Sequence, residues 1–375
     1  MDEESFTKIP QPKNNPFLSG NEAVEREILQ AISSGRIEGS WLIYGQQGIG
    51  KATLAYRMAR FILAKKDASA ASSLFVDKNE NVFKLMTSDS HPDLKIIERS
   101  LTEEEKKKVE KLVAKGEALN DDEEKDRKRK SVITIDSIRE IKDFLALTSF
   151  FGGYRIVIID TADDLNEQAA NALLKILEEP PKKVIMILIS NNLGKIKPTI
   201  LSRCRKIYMN KPYYSIATHI IKTFIPDCLD NDISKALMLG NGSIGLALEV
   251  LSSNGIEICQ RFANLFAKLP LTKPAEINDF AEFITSDDTN YKMAKNLIPD
   301  VLSRAIKNDV QKNHSSLENI IVDNMIKQGL DIEDLLNIRN EICLKFELTD
   351  RLNLDKKLAV MDIFFKTTEV IKTKC

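Results

Sequence analysis

The stretch Gly45-Gln46-Gln47-Gly48-Ile49-Gly50-Lys51-Ala52-Thr53 constrains this chain more than any other because of what flanks it. Upstream, the apolar run Trp41-Leu42-Ile43-Tyr44 reads as a buried strand; downstream, Leu54, Met58, Phe61 and Ile62 recur at helical spacing. Strand, glycine-rich turn and helix in that order make a phosphate-binding loop. Glycines let successive backbone N–H groups turn toward a polyphosphate, and the helix N-terminus adds its partial positive charge. Lys51 would then reach the terminal phosphates. In the full motif the lysine is followed by Ser or Thr, whose hydroxyl binds Mg²⁺. Here that place holds Ala52, which has no oxygen, and Thr53 comes one residue late and points elsewhere on the helix.

Composition limits what surrounds this loop. At 375 residues, 43% of them hydrophobic, the chain is long enough for two or three soluble domains. No apolar stretch has spanning length, and Met1 to Gln11 is polar and proline-bearing, so the expectation is a cytoplasmic protein with no membrane role. Lys and Arg number 54 against 55 Asp and Glu, which excludes a chain-wide electrostatic nucleic-acid binder and leaves only local contacts. Cys204, Cys228, Cys259, Cys343 and Cys375 are too scattered for a disulfide framework or a paired-cysteine zinc site and read as free thiols.

Along the chain, a helix is expected from Glu22 to Ser33, with Val24, Ile28, Leu29 and Ile32 inward and Ser34-Gly35 ending it. The small-residue run Asp67 to Ser73 reads as a surface loop leading to Ser90-His91-Pro92-Asp93 and a strand at Leu94 to Ile97. From Leu101 to Lys130 charge density rises sharply. That segment is either a solvated helix held by Glu–Lys pairs or disordered, and in both cases a surface insertion. Val132 to Ile135 restores regular structure, and Asp136 is placed as N-cap of a helix carrying Ile138, Ile141 and Leu145 inward.

After the break at Gly152-Gly153, Ile156-Val157-Ile158-Ile159 is apolar without alternation, as a central strand covered on both faces must be. Asp160 stands at its C-terminal end, where open α/β sheets keep their ligand chemistry. A helix from Glu167 to Glu179, with Ala170, Leu173, Leu174 and Leu177 inward, stops at Pro180-Pro181. Its last turn carries Glu178 and Glu179, which the helix dipole disfavours. Either a contact surface or an exposed, screened pair explains them.

The strand Val184 to Ile189 follows, then Ser190-Asn191-Asn192, a helical turn after Pro198, and a last strand Ile207-Tyr208-Met209. The alternation implies a mostly parallel, three-layer α/β sheet, its strand order unread. Beyond Pro212 strands give way to helices, with Gly240-Asn241-Gly242-Ser243 as a break and N-cap. Further helical periods run through Ile320, Ile321, Met325 and Ile326, and then Leu335, Leu336, Ile338 and Ile342.

Three stretches together carry a resemblance: Ile158-Ile159-Asp160, the run Asn171-Ala172-Leu173-Leu174-Lys175 through Glu178-Glu179-Pro180-Pro181, and Leu201-Ser202-Arg203-Cys204-Arg205. With the variant loop, residues 15 to 250 closely resemble bacterial clamp-loader subunits of the AAA+ superfamily, and among these the delta-prime type of DNA polymerase III. The resemblance implies a RecA-like AAA+ domain at 1–210, with the charged insertion at about 99–131. It further implies a small helical lid at 211–260 and a C-terminal helical collar that oligomerises at 261–375.

It also implies a nucleotide site formed by Gly45, Gly48, Gly50, Lys51 and Asp160, degraded for hydrolysis in three ways. Ala52 lacks the Mg²⁺ hydroxyl, Thr161 stands where active relatives carry a water-polarising Glu, and Gly245 stands where they carry a lid arginine. Each loss strikes a different part of phosphoryl transfer. Asp163 and Asp164 are read as caps of the next helix and not as replacement carboxylates. ATP or ADP binding stays open; no cofactor is required.

Zinc is not expected, because residues 64 to 92, where many relatives carry a four-cysteine module, contain no cysteine. His91 reads as a turn or packing residue. The family arginine at Arg203 is expected to leave its own subunit and meet ATP bound by a neighbour, its permanent charge and fork of donors matching the γ-phosphate. The competing reading makes Arg203 and Arg205 ordinary surface arginines. The tract from Ser190 to Pro226 has seven Lys and Arg and no acidic residue, a local positive surface for ATP phosphates or a primer-template backbone.

The partners implied are gamma/tau and delta types of loader subunit, with a sliding clamp and primer-template DNA reached through the assembly. The chain would belong to a polymerase holoenzyme without carrying polymerase residues. The alternative is a hydrolysing gamma-type ATPase using Lys51, Asp160 and Thr53. A free-standing kinase or transferase would need an acceptor site, and the sequence offers none.

Overall fold

Successive side chains of these apolar strands point to opposite faces of the sheet, and so fill two separate cores. A computed structural model describes residues 10–114, 129–311, 321 and 327–374. The chain divides into two compact units, Met1–Pro226 and Asp227–Cys375. In the first unit, α1 (Glu22–Ser33) precedes β1 (Gly39–Tyr44) and α2 (Lys51–Leu63); α3 (Asn81–Thr87) precedes β2 (Leu94–Glu98). Then come α4 (Glu103–Ala114), α5 (Ile135–Ala146), β3 (Arg155–Asp160), α6 (Glu167–Glu178), β4 (Val184–Ser190), α7 (Pro198–Leu201), β5 (Arg205–Tyr208) and α8 (Tyr214–Phe224).

The five strands pair in the order β2-β3-β4-β1-β5, all parallel, which bears out the parallel three-layer reading and supplies the order that the sequence withheld. Trp41, Ile43, Ile156, Ile158, Ile185 and Ile187 face the helices α1 and α2. Leu42, Val157, Ile159, Met186 and Leu188 face α5, α6 and the Ile196–Cys204 segment. The chain therefore leaves β1 on one face and β4 on the other. Two neighbouring strands whose exits diverge leave a crevice at their C-terminal ends, where doubly wound sheets bind ligands.

Several local expectations change. Asp136 does not cap α5: Thr134 holds the N-cap position, and Asp136, in the first turn, pairs with Arg139 at 2.7 Å. Nor do Asp163 and Asp164 cap α6, because Asn166 does so, accepting the N–H of Ala169. The helix α3, which buries Phe83 and Met86, falls in a region read as loop and strand approach.

The charged insertion is helical through α4, with Lys106–Glu103 and Lys108–Glu105 pairs three residues apart. Its ends meet beside β2, where Leu101 bridges Arg129 and Lys130 donates to the Ser100 carbonyl. Residues 115–128 of it lie outside the described residues.

Among the described residues of the second unit the helices are α9 (Asp230–Leu239), α10 (Ile244–Ser252), α11 (Gly255–Ala267), α12 (Pro274–Thr285), α13 (Asp288–Gln311), α14 (Ile332–Leu352) and α15 (Lys356–Lys374). Ser243 caps α10, accepting the Leu246 N–H as the sequence anticipates. Phe364 contacts both Phe262 and Phe280 at ring separations of 5.9 and 5.6 Å, the edge-on second contact being a favoured aromatic geometry. Leu335, Ile338 and Ile342 are buried as their spacing demands; Ile320, Met325 and Ile326 lie outside the described residues.

Candidate functional site

The loop between β1 and α2 can exist only with glycines at two of its positions. Gly45 has φ of 152°, and a Cβ there would stand 2.6 Å from the Met209 carbonyl oxygen; Gly50 has φ of 97°, with Leu18 pressed against the place of its Cβ at 2.8 Å. Both positive φ values lie where side chains are strained. Gly50 is the N-cap of α2, so the first N–H groups of that helix open into the crevice. Gly45 N–H donates to Ser190 at the end of β4, tying the loop to the neighbouring strand.

Lys51, the first residue of α2, is only 4% exposed. Its ammonium donates to the carbonyl oxygen of Gln46 at 2.5 Å. Burial pulls Lys51 down to about 8, an effect that Asp160 and Asp163 oppose. Asp160, two strands away at the end of β3, is pushed up to about 6, chiefly by burial and then by Glu98, against Lys51. The structure thus brings Gly45, Gly48, Gly50, Lys51 and Asp160 to one end of the sheet.

These residues fit a polyphosphate, and they do not fit a Mg²⁺ ion held in the usual manner. Ala52 packs its methyl against the core between α2 and the sheet. Thr53 is 7% exposed, buried within the helix. Thr161 donates its hydroxyl to Asp164 at 3.1 Å and holds that carboxylate beside Arg99. Asp163 turns to the end of β4, accepting from Ser190 Oγ at 2.7 Å and from the N–H groups of Asn191 and Asn192. That clamp, which joins the ends of β3 and β4, was not legible in the sequence; the carboxylate three residues past a strand end was its only signal. Among the described residues no group of three or more His, Cys, Asp and Glu is placed to hold a metal.

Arg203 lies at the α7–β5 corner, away from these residues in sequence and carried by other elements. Its Nη2 pairs with Glu178 Oε1 at 2.8 Å, and its Nη1 donates to the Thr199 carbonyl at 3.0 Å. The neighbouring Cys204 is buried and its thiol is pushed up to about 11 by that burial, an anchor and not a nucleophile. Arg205 pairs with Glu27 at 2.9 Å and lies over the Trp41 ring. Lys197 reaches Asn171 at 2.8 Å and Glu167 at 3.7 Å. Three of the seven cations of the Ser190–Pro226 tract are thus matched by acids from α1 and α6, so the local positive charge counted along the sequence is reduced in space. Tyr208, Tyr213 and Tyr214 are exposed beside it.

His91 is buried, accepts the Asp93 N–H on Nδ1 and packs against Phe151; desolvation lowers its pKa. It is a turn residue. Among the described residues no helix is long and apolar enough to cross a membrane.

Comparison with known proteins fits this arrangement. Residues 20–213 match the model of the family described as DNA polymerase III, delta subunit. The chain is 28% identical over 204 residues to DNA polymerase III subunit delta' of Pseudomonas aeruginosa, covering 54% of this chain and 53% of that one. It is 28% identical over 241 residues to DNA polymerase III subunit gamma of Buchnera aphidicola subsp. Acyrthosiphon pisum, covering 62% and 56%. Against subunit delta' of Escherichia coli the identity is 26% over 241 residues, covering 63% of each chain. The chain therefore spans between about half and just under two thirds of the length of these relatives.

Proposed function

The chain belongs to the DNA polymerase III, delta subunit family, and on that premise we propose that it acts as a delta-prime-like subunit of the clamp loader. In this reading it organises the loader ring with gamma/tau and delta types of subunit and supplies Arg203 in trans to the ATP of a neighbouring ATPase. Sliding clamp and primer-template DNA are met through the assembled complex, in the cytoplasm. The lid and collar roles of the helices beyond residue 210 belong to the same proposal.

One observation carries it: the chain's own phosphate loop has the shape for a nucleotide and lacks the group for its metal. Ala52 presents a methyl, packed against the core, in place of a hydroxyl, and Lys51 is turned onto Gln46. Arg203, by contrast, keeps about a third of its side chain exposed at a surface corner. A guanidinium acts on a developing γ-phosphate charge only from within hydrogen-bond reach, and it can be supplied in trans by a second chain. Nucleotide binding by Gly45, Gly48, Gly50, Lys51 and Asp160 is structural in this reading.

A hydrolysing gamma-type role is the second reading, favoured by the relative named subunit gamma and by the retained Lys51 and Asp160. It asks Thr53 to bind Mg²⁺ from a buried position. The test is a reconstituted loader carrying Arg203→Ala. The DNA-stimulated ATPase of the site it serves is expected to fall by about a thousand-fold while the ring still assembles. Unchanged turnover overturns the trans role, and Lys51-dependent hydrolysis by the purified chain alone establishes the second reading.

A further inference from the structure

The two most diagnostic stretches of this sequence touch each other through charge. Helix α6 and the segment after β4 lie side by side: Glu167 and Asn171 meet Lys197, and Glu178 meets Arg203. Glu178 is the last residue of α6, where the helix dipole places partial negative charge and disfavours a carboxylate. Its pairing with a cation resolves that mismatch. For Arg203 the consequence runs the other way. Glu178 takes Nη2, while Thr199 and Ser202 take Nη1 at 3.0 and 3.4 Å, so the tip of the guanidinium is engaged with its own chain.

A carboxylate and a phosphate compete for the same guanidinium edge, since both match its fork of donors. A phosphate approaching Arg203 as it stands also meets the negative charge of Glu178. We propose that Glu178 is a positioning residue that acts as an internal competitor, holding Arg203 on its own subunit until a nucleotide-bearing neighbour displaces it. This rests on the reading of Arg203 as a group acting in trans. Both side chains are partly exposed, 35% for Arg203 and 49% for Glu178, so the contact is weak enough to exchange. A contact of that strength restrains Arg203 without locking it.

The experiment has two arms. In the first, the full chain is treated with phenylglyoxal, and modification of individual arginines is followed by peptide mass spectrometry. Glu178→Gln is expected to speed modification at Arg203 by about two- to five-fold. Arg205, paired with Glu27 and covered by Trp41, serves as the control and keeps its rate. Glu178→Asp, which keeps the charge, stays near wild type, and the difference closes at high salt. Equal rates at Arg203 in wild type and Glu178→Gln overturn the proposal.

In the second arm the assembled loader carrying Glu178→Gln is expected to show a raised ATPase without DNA, and none of that gain in the Glu178→Gln, Arg203→Ala double variant. Faster modification with unchanged ATPase overturns the competition with phosphate. If Arg203→Ala alone leaves turnover unchanged, the trans reading itself falls, and the modification result still reports the pairing separately.

Discussion

The ammonium of Lys51 donates to the carbonyl oxygen of Gln46, closing the phosphate loop on its own lysine. A nucleotide has to take that donor away from Gln46, and it finds no hydroxyl at Ala52 to share a metal ion with. ATP affinity measured by titration calorimetry is therefore expected to respond little to Mg²⁺, within about twofold, where a complete loop depends on it strongly. Ala52→Ser restores the oxygen and is expected to introduce Mg²⁺ dependence without turnover, because Thr161 still follows Asp160. Strong Mg²⁺ dependence in the unaltered chain contradicts this account of the site.

Asp160 carries a stability penalty at neutral pH. Its carboxyl titrates at about 6 in the folded chain against an ordinary value of 3.8, so the folded state binds the extra proton between those values. Stability then falls as pH rises through that window, and the penalty is complete above about 6. Asp160→Asn, which resembles the neutral acid, is expected to stabilise the chain by about 1–3 kcal/mol at pH 7. The gain disappears below pH 4, as urea unfolding at the two pH values measures. A variant no more stable at pH 7 than the parent removes the burial argument.

The sheet was legible because its signals are local. Ile156 to Ile159 and Val184 to Ile189 are unbroken apolar runs, and each became a strand buried on both faces. What escaped the sequence was pairing across space. Arg57 and Arg60 lie on α2 among apolar residues, and in the fold both are buried, one on Glu25 and one on the carbonyls of Lys13 and Asn15. Glu178 looked like a carboxylate misplaced at a helix end, and only the fold brings Arg203 to it. The short α3 was hidden because its seven residues, Asn81–Thr87, make barely two turns, too short a window to establish a helical period.

The pair of Glu25 and Arg57 predicts a strong and asymmetric response to mutation. Their charged atoms lie 2.6 Å apart with both side chains nearly excluded from water, and Glu25 also accepts the Leu74 N–H. Removing one member leaves the other charged and buried. Glu25→Ala is expected to cost about 3–5 kcal/mol, whereas replacing both, as Glu25→Leu with Arg57→Met, costs far less. A double-mutant cycle in urea measures the difference; additive losses show that the two charges do not depend on each other.

His91 gives the chain an acid-sensitive turn. Its Nδ1 accepts the Asp93 N–H, and the Asp93 carboxylate in turn accepts the N–H groups of Phe150 and Phe151 and the hydroxyl of Ser149. A protonated imidazole has no lone pair to accept with, and burial lowers the His91 pKa although Asp93 opposes that shift. The unfolded state therefore binds the proton first as pH falls. The stability that His91 contributes is complete above its ordinary value of 6.5 and is lost as pH drops through the depressed folded value. His91→Asn keeps an acceptor near Nδ1 and cannot titrate. Its unfolding free energy is expected to lie below that of the parent at pH 8 and to fall less between pH 7 and pH 5. Parallel slopes for parent and variant across that interval assign the acid sensitivity to other groups.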